Sequence, residues 1–570
     1  MKLSNDNKNI TTKRLKALLF VWVVAACAIP NVWLSLTERM SIMQSITNIV
    51  LPVGIYLLLM SLSRKIGKVS LWMITLFFFA AFQIVLLYMY GRSVIAVDMF
   101  LNVVTTNPGE VGELLGNLMV IIIAVIAIYI PPIALGVIAT IRRWHLSHNT
   151  ISRTRRASLW IIGAGLICFG LSFSGARTYK PLCDLYPVNA IYNLYLAVER
   201  TVKVANYHKT SASFKYEATS EHPDSVPEIY VVMVGETSRA DNWQINGYDR
   251  PTTPRLVDRK GLTSFSRAIS QSNTTHKSVP MLLSPLDASN FGDSIYNVKS
   301  LITAFKEAGY ATTFVSAHSR NHSFIDFFGE EADTCIFIKE QGLNKEHYYD
   351  TDLLPYLDEA IANGKTKQLI VLHCYGSHFN YIDRYPETEA VFRPDRPAMA
   401  THHYRDKQIN AYDNTILFTS NMIADVIDRL DRQGKMAGLI YTSDHGEDIF
   451  DDDRHLFLHA SPIPSYYQIH VPMLVWLSDS YISQYPAKQE FLNRNKEKYA
   501  ASSRTFFHSI MDMAGISTPW KKTQWSVLDS GYTPGPAIYL NDHNEAVELK
   551  DCGILDYDFK EFDALGIRLQ

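Results

Sequence analysis

Hydrophobic and polar positions divide the chain into two regimes. Up to about residue 175 the sequence is dominated by long apolar runs, approximately Leu15–Leu36, Ile46–Leu62, Val69–Tyr90, Leu115–Ile141 and Ser158–Ser174. A bilayer core takes about 20 residues of helix, so each run can span, the last being the shortest. The pattern predicts five transmembrane helices in residues 1–175. Pro30, Pro52, Pro131 and Pro132 fall within them, where neighbouring helices can satisfy the freed backbone groups. The first run stands where a signal peptide would, but its length and the apolar runs behind it favour an uncleaved anchor.

From about residue 220 the apolar runs shorten and alternate with helical patterns. Strands are predicted at Glu228–Val234, Ala311–Ser316, Gln368–Cys374, Gly438–Thr442 and Val471–Leu477, with helical stretches such as Val298–Ala308 and Ile409–Leu430 between them. Such alternation predicts an α/β domain over residues 227–570, a mainly parallel sheet covered by helices on both faces. Residues 176–226 join the two regimes. Within them Val188–Val204 is apolar and rich in tyrosine, and reads equally as a helix along the membrane interface or one packed on the soluble domain. Thr219–Pro227 reads as a linker.

Loop charge orients the spans. Lys13, Arg14 and Lys16 precede the first run, Arg64, Lys65 and Lys68 separate the second and third, and Arg142, Arg143, Arg153, Arg155 and Arg156 separate the fourth and fifth. With five spans all three clusters fall on one side, so the amino terminus is expected in the cytoplasm and the carboxyl half outside. The net charge of -2 gives no indication of nucleic acid. Of six cysteines, Cys183, Cys335, Cys374 and Cys552 fall in the exported part. That compartment permits disulfides, but no pairing can be read from their spacing.

The most chemical point of the chain is Asp444-His445, directly after the apolar run Ala437–Ser443. Ligands of open α/β sheets bind beyond the carboxyl ends of the strands. Glu236 follows the strand Ile229–Val234 in the same way, so a Glu, an Asp and a His meet at one rim, a set that zinc accepts with a position to spare. Alone, Glu236 is equally a helix-capping acid. The segment Ser272–Pro280 supplies hydroxyls; near a dication a threonine hydroxyl loses its proton more readily, although a threonine-rich helix cap has the same composition. His378 and His459 also follow strand-like runs and suit phosphate oxygens, a leaving group or a second metal. For His373, His455 and His470 structural parts are favoured.

Together these motifs resemble a known family. Val234-Gly235-Glu236-Thr237-Ser238-Arg239, Asn246-Gly247-Tyr248, Thr275 five residues before Pro280, Ser377-His378 and Ser443-Asp444-His445-Gly446-Glu447, behind five spans, resemble the phosphoethanolamine transferases. These are inner-membrane members of the alkaline phosphatase and sulfatase superfamily. Tyr412-Asp413-Asn414-Thr415 is also family-like. The resemblance implies Glu236, Thr275, Asp444 and His445 as ligands of a catalytic Zn2+, with a second ion expected at most. It implies Thr275 as the nucleophile, and His378 and His459 near the substrate phosphate or a second zinc. Thr106-Asn107 and Glu110 resemble positions near the donor headgroup. The implied donor is phosphatidylethanolamine, the acceptor lipid A or a core sugar of the envelope glycolipid, and the protein a monomer. The cysteines that flank the nucleophile in lipid A-modifying members are absent, and Phe379-Asn380-Tyr381 replaces the usual Gly-Pro after the histidine. The branch that modifies core sugars is therefore at least as near.

The reaction implied is a two-step transfer through a phosphoethanolamine-modified Thr275. Two rivals stand beside it: a lipoteichoic-acid-synthase-like glycerophosphotransferase using phosphatidylglycerol, and a non-catalytic envelope assembly protein, which would lack one or more of the metal ligands. No Cys-x-Pro-x-Arg segment supplies a sulfatase nucleophile.

Overall fold

A computed structural model describes residues 2–105, 118–174, 179–342, 345 and 347–569 of the chain, which divides into a helical amino-terminal unit and an α/β unit. In the first, four helices are long and apolar enough to cross a membrane: Thr11–Thr37, Ile42–Met60, Met119–Ile141 and His148–Ser174. The predicted third span is instead two helices, Ile66–Trp72 and Ile74–Tyr90, bent by 47° at Met73, and supplies a fifth crossing only if the pair is one span. The last helix starts ten residues before the predicted Ser158, because Ser147 caps it by accepting the amide of Thr150 (3.0 Å).

Two features hold these helices together. Small residues allow close approach: a Cβ on Gly165 would lie 2.8 Å from the Leu51 backbone, and one on Gly54 2.8 Å from Ile162. Polar groups also pair inside the unit. Asn31 donates to the carbonyls of Asn48 and Tyr186 (both 2.8 Å) and accepts from Tyr56 (3.1 Å). The three basic segments meet at one end. Lys16 donates to the His145 carbonyl (3.1 Å), Arg64 to that of Leu146 (3.0 Å) and Arg155 to that of Ser61 (2.9 Å). The helix Val188–Ala205 begins in this unit and is inverted. Asn189 and Asn193 are buried, whereas Val188, Ile191, Tyr195 and Val198 are exposed at spacings of three and four.

The second unit is built on a seven-stranded sheet: β1 (Glu228–Gly235), β2 (Leu262–Ser264), β3 (Ala311–Ser316), β4 (Thr334–Phe337), β5 (Lys367–His373), β6 (Met436–Ser443) and β7 (Met473–Leu477), in the order β2-β7-β6-β1-β5-β3-β4. The strands β6, β1, β5, β3 and β4 run parallel; β7 is antiparallel to both neighbours. β1, β5 and β6 are buried along their whole length, which explains their unbroken apolar runs. Two apolar layers cover the faces, one containing Val232, Phe305 and Phe507, the other Val231, Ile423 and Leu439. The edge strands β2 and β4 escaped sequence reading because they are short and only partly apolar. No disulfide forms among the described residues.

Just beyond β1, Arg239 is enclosed. Its guanidinium pairs with Asp451 (2.7 Å), donates to Asn242 (2.6 Å) and lies over the rings of Tyr412 and Tyr467. Both charges are almost wholly buried, so removing one strands the other. Asp451→Ala is expected to destabilise the protein by about 3–5 kcal/mol. An unchanged thermal midpoint would show that the pair carries no structural weight.

Candidate metal and transfer site

The sheet register builds the site. β1 pairs with β6 so that Gly235 stands opposite Ser443, and the next residues, Glu236 and Asp444-His445, leave the sheet together. All three are completely or almost completely buried. Thr275 arrives from another direction, as the first residue of the helix Thr275–Leu282, with Thr274 at its cap. Its Oγ1 lies 3.1 Å from Glu236 Oε1 and 3.1 Å from His445 Nε2. That same imidazole nitrogen lies 3.3 Å from Glu236 Oε1 and 3.3 Å from Asp444 Oδ2.

These distances test whether zinc fits. Ligands about 2.0–2.1 Å from a tetrahedral ion stand roughly 3.3–3.4 Å apart. The edges of this cluster have that length, and the oxygen and nitrogen donors are of the right kind. Asp444 Oδ2 is buried and makes no hydrogen bond, an orphan that an ion would satisfy. Glu236, Thr275, Asp444 and His445 therefore fit the ion.

Local structure explains the precision. Thr237 has φ +59°, a left-handed conformation uncommon for a β-branched residue. Its amide thereby donates to Asp444 Oδ1 (3.1 Å) and its hydroxyl to Glu236 Oε1 (2.8 Å). The turn is clamped by Tyr412, whose hydroxyl donates to the Thr237 carbonyl (2.8 Å) and accepts the Arg239 amide (2.9 Å). Asp444 Oδ1 also accepts the His445 amide (2.7 Å). Nδ1 of His445 donates to the Gly446 carbonyl (2.9 Å), so Nε2 faces the other ligands. Two glycines make room: a Cβ on Gly376, at φ +55°, would stand 2.4 Å from the Glu236 carbonyl, and one on Gly446 2.2 Å from that of Tyr467.

The motif Tyr412–Thr415 braces the surroundings from the helix Arg405–Asp431. Asp413 accepts from Asn242 (2.5 Å) and Tyr248 (2.9 Å), Asn414 accepts the amides of Val391 and Phe392, and Thr415 donates to Ser377 (2.7 Å). Sequence reading noted this motif but gave it no part.

His378 and His459 line the same cleft, of about 130 Å³, as Glu236 and Thr275. Their rings lie 5.7 Å apart, and His459 is 4.2 Å from the ring of His445. His459 Nδ1 is tied to Glu447 (3.1 Å), which also accepts from Tyr381. Burial pushes the Glu447 carboxyl well above the usual range and the His459 imidazole well below. Glu447 was read as part of the motif that follows Asp444 but was given no role of its own. His373, expected to be structural, lies in the cleft beside Glu236, joined by His318. His470 is structural, held between Asp241 (2.8 Å) and the Ser266 carbonyl (2.8 Å), and His455 stacks on His402. Thr106, Asn107 and Glu110 lie outside the described residues.

Comparisons with known proteins bear on the family and the fold. The family model described as Sulfatase matches residues 228–516. The Kdo(2)-lipid A phosphoethanolamine 7''-transferase of Escherichia coli K12 is 30% identical over 315 residues, 54% of this chain and 54% of that protein. The chain thus spans about half the length of the curated relatives it matches. Among solved structures, the integral membrane lipooligosaccharide phosphoethanolamine transferase A (EptA) of Neisseria meningitidis aligns over 90% of this chain and 98% of its own, at TM-score 0.68 and 20% identity. The zinc complex of the periplasmic domain of Escherichia coli EptC covers 62% of this chain and 98% of that domain, at TM-score 0.54 and 23% identity. At these identities the likeness is one of fold.

Without metal, the cluster holds protons. Burial lowers the affinity of His445 for its proton, but the charges of Asp444 and Glu236 outweigh it and raise the imidazole to about 9. Burial, then the charge of Glu236, pushes the Asp444 carboxyl up. Zinc takes deprotonated ligands, so it must displace these protons. Zinc binding to metal-free protein at pH 7 is expected to release protons, with affinity rising as pH rises towards 9. Calorimetry in buffers of different ionisation enthalpy checks this; identical heats would contradict it.

Proposed function

Because the chain belongs to the sulfatase family, we propose that it transfers phosphoethanolamine from phosphatidylethanolamine to an envelope glycolipid, lipid A or a core sugar. The observation that carries this reading is the position of Thr275 Oγ1, 3.1 Å from both Glu236 and His445 in the cluster that fits zinc. Glu236, Thr275, Asp444 and His445 would hold the ion, which when bound would favour the alkoxide of Thr275 and offset negative charge on the phosphoryl oxygens.

In the first step Thr275 Oγ1 attacks the donor phosphorus, and its proton leaves along the hydrogen bond to the Glu236 carboxylate. The bond from phosphorus to the glycerol oxygen breaks, that oxygen takes up the proton that Thr275 gave up, and diacylglycerol departs. In the second step the acceptor oxygen displaces Thr275. The acceptor proton returns to Thr275 Oγ1 by way of the Glu236 carboxylate, while His459, tied at Nδ1 to Glu447, flanks the phosphoryl group. Glu447 and Tyr381 keep that ring in register, and His378 supports the phosphoryl oxygens.

The membrane layout follows the same reading. The three basic segments joined at one end of the helical unit support a cytoplasmic amino terminus and a periplasmic α/β unit at the inner membrane. The inverted helix Val188–Ala205 supports a lipid-facing stripe, with Val188, Ile191, Tyr195 and Val198 exposed. The lipid donor and the anchored enzyme then share one surface.

Thr275→Ala is expected to lower transfer by more than about 10³-fold and to abolish the covalent adduct. Mass spectrometry of Thr275 peptides from wild type given phosphatidylethanolamine should find a phosphoethanolamine increment. A glycerophosphate increment would favour the phosphatidylglycerol-dependent alternative. Full activity in the alanine variant would remove Thr275 from the mechanism.

A further inference from the structure

The cleft contains two histidines that the transfer mechanism leaves unused. His373 ends β5 and His318 stands two residues beyond β3. The pairings Ser316 to His373 and His373 to Val234 bring both to the rim beside Glu236. Their rings stack, 4.4 Å between centroids and 18° from parallel. His318 Nε2 donates to the Cys374 carbonyl (2.9 Å), which leaves Nδ1 an acceptor. His373 Nδ1 is bonded to Ser316 Oγ (3.0 Å), and in the tautomer that donates there Nε2 is an acceptor too. That Nε2 has no hydrogen-bond partner in a residue only 1% exposed. Asp326, also buried, lines the same cleft, with one oxygen accepting the amides of Asn321 and His322. Among the described residues lining the cleft there is no lysine or arginine. A group of acceptors with no cationic side chain beside it is complementary to a cation.

Spacing decides which cation. The ligand atoms of Glu236, His318 and His373 lie within 4.8 Å of one another, yet among the described residues no hydrogen bond or ion pair joins Glu236 to either ring. This group is wider than the neighbouring cluster, whose edges are 3.1–3.3 Å. A metal lies in the plane of each imidazole that binds it, and two stacked, nearly parallel planes do not converge on one ion. Acceptors about 2.8 Å from a tetrahedral ammonium nitrogen stand roughly 4.6 Å apart.

We infer that Glu236, His318 and His373 form the seat of the primary ammonium of the ethanolamine arm, with Asp326 adding negative field. The inference rests on the transfer reading and adds to it the residues that select the headgroup. Each N-methyl group removes one N–H donor and leaves a buried acceptor unpaired, so methylated headgroups are rejected.

The test is the donor half-reaction of the full-length, zinc-loaded protein, read as diacylglycerol release from vesicles containing phosphatidylethanolamine, its N,N-dimethyl form or phosphatidylcholine. Wild type is expected to prefer phosphatidylethanolamine over phosphatidylcholine by about 10²-fold or more in kcat/KM. His318→Leu and His373→Phe should raise KM for phosphatidylethanolamine and reduce the preference below about tenfold, with zinc content unchanged. Asp326→Asn should reduce it by a smaller factor. Variants that release diacylglycerol with the wild-type preference would overturn the seat and leave the transfer reading standing. Loss of one zinc equivalent in either histidine variant would make the group a metal site instead. If wild type releases no diacylglycerol from phosphatidylethanolamine, the transfer reading falls and the seat with it. Should the variants fail to fold, calorimetry on wild type decides: phosphoethanolamine must bind at least about tenfold more tightly than phosphocholine, and equal affinities overturn the inference.

Discussion

Two carboxylates forced together in a buried place set the terms for the α/β unit. The pairing of Gly235 with Ser443 brings Glu236 and Asp444 out of adjacent strands side by side. Neither is solvated, and like charges that close cannot both persist without compensation. His445 lies 3.3 Å from each and supplies part of it. The left-handed turn at Thr237, the amides aimed at Asp444 and the Tyr412 clamp supply more, and a dication fits the remainder. Sites of this kind store local strain and rely on a rigid surround to maintain it.

That surround comes from parallel strands ending at one level. Because β1, β3, β5 and β6 stop in register, the residues just past them share a rim: Glu236, His318, Cys374 and Asp444. Thr275 is brought in by a helix outside the sheet and His459 by a loop with left-handed residues on both sides, Leu458 and Ala460. A lone threonine and a lone histidine thus become parts of one cleft.

Much of this was legible in the residue pattern. Asp444, His445 and Glu236 each follow an apolar run long enough to be a buried strand, and rim positions of such strands are where chemistry collects. The apolar runs of the amino-terminal half were equally plain, though the bend at Met73 was not, since Met, Trp and Ile read as continuous helix. The edge strands β2 and β4 were invisible because Leu262–Ser264 and Thr334–Phe337 draw their structure from neighbours rather than from their own apolar content. Glu447 and Tyr381 were given no role because their meaning lies in a contact between residues 66 apart in the chain.

By itself the sequence determined which segments are apolar enough to span a membrane or be buried in a sheet, and which reactive side chains follow the buried strands. Both are local properties, set by hydrophobic run length and by the residue types beside it. Only the tertiary structure decided which of those side chains meet, that His373 belongs to the cleft while His470 does not, and that Glu236 lies in contact with His445 but farther from His318 and His373. Those depend on strand register and on distances of a few ångströms between residues far apart in the chain, which no local pattern encodes.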